Sequence, residues 1–208
     1  RALEDHGTLV EVDMDEPERL GVPIVPSLWV MRNKRAPSGV ITKKKGRITY
    51  RGDLERGDFE TASPVVAWST LRVLLVLSLF LGWDTVSSDF ESAFVQSAIK
   101  QPMFMHLPRG FKSKSPGRRC LKLLKSLYGS ATAPRDWFLH LTKIFRELGL
   151  QQSQHDPCLW FKPGKLVVAV FVDDCVYCYK DPKVLEEFIA GLRKAGLVLT
   201  VESSLSEY

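Results

Sequence analysis

Two adjacent carboxylates, Asp173 and Asp174, follow the run Val167-Val168-Ala169-Val170-Phe171-Val172, which is apolar enough for the centre of a sheet. Charges in such a place need a counterpart. In a straight strand the two side chains would point to opposite faces, whereas at a tight hairpin turn they can approach a common cation. Burying both without compensation would cost several kcal/mol, so the pattern calls for a metal or a solvent-filled cleft. Asp89, at the end of a short strand-like segment, supplies a third carboxylate. Three hard oxygen ligands suit magnesium better than zinc. Two such ions about 3.5–4 Å apart can activate a hydroxyl and stabilise a leaving oxygen in phosphoryl transfer, chemistry used by nucleases and polymerases alike. An isolated Asp-Asp pair is also ordinary turn composition, so the flanking sequence has to decide.

The elements that would position these groups can be read from periodicity and punctuation. Ile24 to Arg35 and Val40 to Leu54 are β-like, and Lys45-Gly46 between basic arms predicts a projecting hairpin. Ser63 as cap, Pro64 at the first helical position and Gly82 as stop predict a largely buried helix over 64–81. A short strand then delivers Val86 to Asp89, followed by one or two helical turns through Phe94 and an extended segment from Met103 to Leu107. Cys120 to Leu127 reads as a strand. Pro134 opens an amphipathic helix to Gly149 whose Trp137, Phe138, Leu141, Ile144, Phe145 and Leu148 recur at helical spacing and belong to a core. Cys158 to Lys162 and Leu166 to Val172 are strands, with a second arm after Asp173-Asp174. A helix over 182–195 leads into the strand-like Leu197 to Glu202. Strands interleaved with helices place the chain in the α+β class.

With 208 residues, 45% of them apolar, the chain can bury a core for one domain or one domain with an appendage. It begins at Arg1 without a signal-like segment and reads as a piece of a longer polypeptide. The run Val65 to Leu81 is interrupted by Ser69, Thr70 and Arg72 and falls short of the roughly 20 residues of a membrane span, so no membrane partner is expected. The formal charge of +5 is modest, but Lys43, Lys44, Lys45, Arg47 and Arg51 cluster, as do Arg118, Arg119, Lys122 and Lys125, in the manner of a polyanion-binding surface. Cys175 and Cys178 have half-motif spacing, but on a strand they point to opposite faces. They read, with Cys120 and Cys158, as small buried hydrophobes.

Several segments together carry a family resemblance. Phe171-Val172-Asp173-Asp174 is similar to a Tyr-Val-Asp-Asp box, and Asp89-Phe90-Glu91-Ser92-Ala93-Phe94 to an Asp-x-x-x-Ala-Phe motif. Lys125-Ser126-Leu127-Tyr128-Gly129 and Ala133-Pro134-Arg135-Asp136-Trp137 stand between them. Glu60-Thr61-Ala62-Ser63-Pro64-Val65-Val66, Pro108-Arg109-Gly110-Phe111 and Asp156-Pro157-Cys158-Leu159 extend the match. In order and spacing these resemble the copia-type retrotransposon reverse transcriptases.

The resemblance implies a right-hand polymerase palm, an antiparallel sheet backed by helices, over 63–208, and a partial fingers hairpin within 1–62. The primer grip and thumb would lie beyond Tyr208. Fingers elements would intervene within the 63–208 palm, and an N-terminal segment would accompany the hairpin in 1–62. The resemblance implies an RNA-directed DNA polymerase in which Asp89, Asp173 and Asp174 hold two Mg2+ ions, or Mn2+ in their place. Phe94 and Ala93 would lie under the incoming sugar, where an aromatic excludes a ribose 2′-hydroxyl. Gly129, Arg51 and Arg47 would serve the nucleotide, and Arg135 and Lys125 the nucleic acid. The implied partners are an RNA or DNA template with primer, deoxynucleoside triphosphates, and the integrase and ribonuclease H domains of a Pol polyprotein in an intracellular, cytoplasmic particle. Asp53 falls where relatives carry a phosphate-binding basic residue, and Thr132 where Gln is common. These departures leave open a second reading, a decayed element fragment that binds nucleic acid without catalysis. A two-metal nuclease would use the same carboxylates but gives no reason for Phe94 or the segment around Gly129.

Overall fold

The computed structural model describes residues 3, 7–55, 57 and 59–202. It divides into two units, Arg1–Thr61 with Ser97–Asp136 and Ala62–Gln96 with Trp137–Tyr208. The chain runs through β1 (Leu9–Asp13), α1 (Asp15–Leu20), β2 (Ile24–Val25), β3 (Ser27–Arg35) and β4 (Ile41–Tyr50) before α2 (Trp68–Leu81). Next come β5 (Asp84–Phe90), β6 (Ala98–Met105), β7 (Arg119–Lys125) and α3 (Ala133–Glu147). The strands β8 (Gln151–Gln152), β9 (Leu159–Lys162), β10 (Leu166–Phe171) and β11 (Asp174–Tyr179), then α4 (Pro182–Lys194) and β12 (Leu199–Val201), complete it. This is the α+β composition expected from the sequence.

In the first unit, strands in the order β1-β7-β6-β2 form one sheet, and β3 with β4 form a separate two-stranded ribbon. The ribbon turns at Pro37-Ser38-Gly39, not at the Lys45-Gly46 that the basic arms suggest. The Gly39 N–H donates to the Ala36 carbonyl (2.8 Å), and Gly39 takes φ 83°. Proline presets one turn dihedral and glycine supplies the positive φ, a stronger signal than Lys-Gly. Lys45 and Gly46 instead lie within β4, opposite Arg32 and Met31. Gly46 is useful there because a Cβ would come within 3.0 Å of the Met31 sulfur. Direct cross-strand partners share a face, so Arg32, Lys34, Lys43, Lys45 and Arg47 lie on one side of the ribbon and Trp29, Met31 and Ile48 on the other.

The second unit is built on a six-stranded antiparallel sheet ordered β12-β5-β11-β10-β9-β8. Its register sorts side chains by face. Val168, Cys175, Tyr177, Val86, Ser88 and Phe90 look toward α3 and α4, where Phe145, Trp160, Phe188 and Tyr177 make successive edge-on ring contacts. Phe171, Asp174, Val176, Cys178 and Asp89 occupy the opposite face, with α2 against its Cys178 end through Ser78. All four cysteines are free and buried, as read from their context.

Helix α2 departs from expectation twice. It begins at Trp68 rather than Pro64, because the preceding residues are held extended by long-range bonds. The Val66 N–H donates to the Val170 carbonyl (3.1 Å) and the Ala67 N–H to the Asp156 carboxylate (3.0 Å). Asp156 thus caps a helix from 89 residues away and also receives the Cys158 N–H (2.9 Å). Nor is α2 largely buried. Leu74 and Ser78 are covered, while Val73, Val76, Leu77 and Phe80, spaced as a second apolar stripe, are exposed, Phe80 by 84%. No helix of the described residues is long and apolar enough to cross a membrane.

Candidate active site

The β10–β11 hairpin closes through two residues, Val172 and Asp173, because Phe171 and Asp174 are direct partners. A two-residue turn that follows the twist of its strands requires positive φ at its first central residue, where glycine or asparagine is usual. Here Val172 takes φ 56°, a conformation that costs a β-branched residue about 1–3 kcal/mol. Bonds from outside the hairpin hold the turn. Its Val172 carbonyl accepts the Trp137 indole N–H (2.8 Å), and its Asp173 carbonyl accepts the Phe90 N–H (2.8 Å).

Asp174 stands opposite Asp89 on β5, so the two carboxylates share a face, and Asp173 projects from the adjoining turn. Burial, and then the neighbouring charges of Asp173, Asp89 and Glu202, raise the Asp174 carboxyl above its ordinary range. The three carboxylates singled out in the sequence therefore form one electrostatic group. Glu202 is a fourth member that the sequence did not reveal. It stands just beyond β12 and accepts a hydrogen bond from the Ser87 hydroxyl (2.8 Å). Its only sequence signal is an acidic residue ending a strand.

Among the described residues, no three carboxylate, histidine or cysteine groups already enclose a single point. What fits a divalent ion is the donor chemistry. The donors are all oxygen, and every charge that acts on Asp174 is another anion.

Ala93 and Phe94 lie in a short 3-10 turn, Ala93–Gln96, just after β5. Ala93 is buried and Phe94 packs on the core. The Gln96 amide anchors this turn through the carbonyls of Glu91 (2.7 Å) and Val198 (3.0 Å).

The remaining sequence candidates belong to the first unit. Gly129, at φ 89°, has no room for a Cβ, which would strike the Tyr50 carbonyl; its close approach is to the end of β4. Arg51 makes a two-pronged ion pair with Asp53, Nε to Oδ1 at 2.7 Å and Nη2 to Oδ2 at 2.6 Å. Asp53 therefore engages a neighbouring cation. Arg47 lies 4.8 Å above the Tyr128 ring. Arg135 pairs with Glu60 (2.6 Å), and half-buried Lys125 ends β7 opposite Ala98.

The chain belongs to the reverse transcriptase (RNA-dependent DNA polymerase) family, whose model it matches over residues 14–206. It is 30% identical over 86% of its length to the retrovirus-related Pol polyprotein from transposon RE1 of Arabidopsis thaliana. It is 27% identical over 93% of its length to the corresponding polyprotein from transposon TNT 1-94 of Nicotiana tabacum. The copia-type resemblance read from the motifs is borne out. The chain spans 13% and 15% of those polyproteins. A solved foamy viral protease-reverse transcriptase in complex with ds DNA aligns with 95% of this chain and 28% of its own at a TM-score of 0.48 and 13% identity. Members of the family work with divalent metal ions.

Proposed function

We propose that this chain carries the catalytic centre of an RNA-directed DNA polymerase, extending a primer on an RNA or DNA template with deoxynucleoside triphosphates. The second unit would act as palm and the first as part of the fingers. The observation that carries the reading is the direct cross-strand pairing of Asp89 with Asp174, beside the turn that presents Asp173. Asp89, Asp173 and Asp174 would hold two Mg2+ ions, with Mn2+ as a substitute. When bound, the ions supply activation of the primer hydroxyl and charge stabilisation of the leaving oxygen. Phe94 and Ala93 border the sugar and exclude its 2′-hydroxyl. Arg51, Arg47 and Gly129 serve the triphosphate, while Arg135 and Lys125 contact nucleic-acid phosphate. The working protein would include the integrase and ribonuclease H regions of a Pol polyprotein, within an intracellular particle.

Primer extension by the polyprotein-length enzyme tests this. Asp173→Asn should abolish Mg2+-dependent extension and leave template-primer affinity nearly unchanged, because phosphate contacts lie elsewhere. Undiminished extension would remove the assignment.

A further inference from the structure

We infer that Trp137 is a positioning residue for Asp173, locking the carboxylate-bearing turn from the far side of the sheet; the inference rests on the carboxylate assignment proposed above. The sequence gives Trp137 only as one member of the apolar stripe of α3, and burial to 1% exposure agrees with that. Its contacts go further. The indole N–H donates to the carbonyl of Val172 (2.8 Å), the residue in the unfavourable left-handed conformation. The ring meets Phe90 edge to face at 5.1 Å, and Phe90 follows Asp89. The Phe90 N–H in turn donates to the Asp173 carbonyl (2.8 Å). One side chain thus ties the turn before Asp173 to the strand end after Asp89.

Trp137 packs against the face of Phe90, whereas Asp89 and Asp174 occupy the other face. It therefore acts through the backbone of the turn, from the face opposite Asp89 and Asp174. Nor is the hydrogen bond simply what any buried indole must find. Trp160, fully buried in the same unit, leaves its Nε1 without a partner among the described residues. The indole bond at Trp137 stabilises a backbone conformation that Val172 resists, and outer groups that orient a ligand commonly shift metal affinity.

Trp137→Phe keeps an aromatic ring and removes the N–H, and Trp160→Phe controls for loosening of the same core. In the metal-free 208-residue chain, Trp137→Phe should speed amide hydrogen exchange at Phe90 by about tenfold, with Trp160→Phe close to native. In the polyprotein-length enzyme, Trp137→Phe should raise the Mg2+ concentration for half-maximal primer extension by about tenfold or more. The KM for template-primer should not move. Should the phenylalanine variant fail to fold, 3-benzothienylalanine at position 137 keeps the bicyclic shape, replaces the N–H by sulfur and reads the same two quantities. Native exchange and native Mg2+ dependence in these variants, with Asp173→Asn inactive, would overturn the role of Trp137 and leave the carboxylates in place. Equal effects from Trp160→Phe would also overturn it. An active Asp173→Asn with native Mg2+ dependence would instead defeat the underlying assignment.

Discussion

Asp89 and Asp174 face each other as direct cross-strand partners of β5 and β11, an arrangement in which like charges repel. The strands pair there despite that repulsion, because their apolar neighbours on the opposite face are buried. Asp174→Asn should therefore raise the thermal midpoint of the metal-free chain, by up to about 1 kcal/mol of stability. Millimolar Mg2+ should stabilise the native chain more than the variant, since a ligand stabilises the state that binds it. Thermal denaturation with and without Mg2+ checks both signs.

The second prediction concerns the distant cap of α2. Burial acts to raise the Asp156 carboxyl, but hydrogen bonds from Thr70, Ala67 and Cys158 outweigh it and hold the group below its ordinary value of 3.8. A depressed folded value contributes stability that is present above pH 3.8 and lost as pH falls through the folded pKa. Asp156→Asn should cost about 1–3 kcal/mol near neutrality, and the difference should shrink in acid below the ordinary carboxylate range. Denaturant titrations at pH 7 and pH 3 measure it.

The exposed Arg51–Asp53 pair occupies a cation proposed above to serve the triphosphate. Asp53→Asn frees the guanidinium and should lower the KM for deoxynucleotide by about two- to fivefold, the scale that an exposed pair permits. Arg51→Ala should raise it, and template-primer affinity should be unaffected by either change. Steady-state kinetics on the two variants decide whether Arg51 serves the nucleotide at all.

Phe94 should select the sugar. Phe94→Val opens the space that would exclude a 2′-hydroxyl and should raise ribonucleotide incorporation relative to deoxynucleotide by about tenfold or more. Unchanged selectivity in an active variant would return Phe94 to a purely packing role.

The outer stripe of α2 makes a simpler prediction. Phe80→Ser removes one of the most exposed apolar side chains and should change folding stability by less than about 0.5 kcal/mol. It should also lower concentration-dependent light scattering, because a contiguous exposed apolar patch promotes association. A large loss of stability would mean that Phe80 is covered.

What the sequence determined by itself are the features written in local periodicity and punctuation. Alternation and the two acidic residues place Asp173 at a hairpin turn, and Asp89 ends a strand-like segment. Pro182 set the start of α4, and the 3.6-residue stripe set the buried face of α3. Each depends on residues a few positions apart, whose conformational preferences act before any distant contact forms. Tertiary structure decided what depends on partners far along the chain. Val170 and Asp156 drew residues 66–67 out of a helix that Ser63-Pro64 would otherwise begin. Apolar composition made α2 a helix but could not say that only one of its two apolar stripes would meet the sheet. Glu202 joined the carboxylates, and Trp137 came to hold Val172, only because β12 and α3 pack where they do. Hydrogen-bond partners and electric fields are properties of distance in space, and pattern along the chain carries no measure of that distance until the sheet has closed.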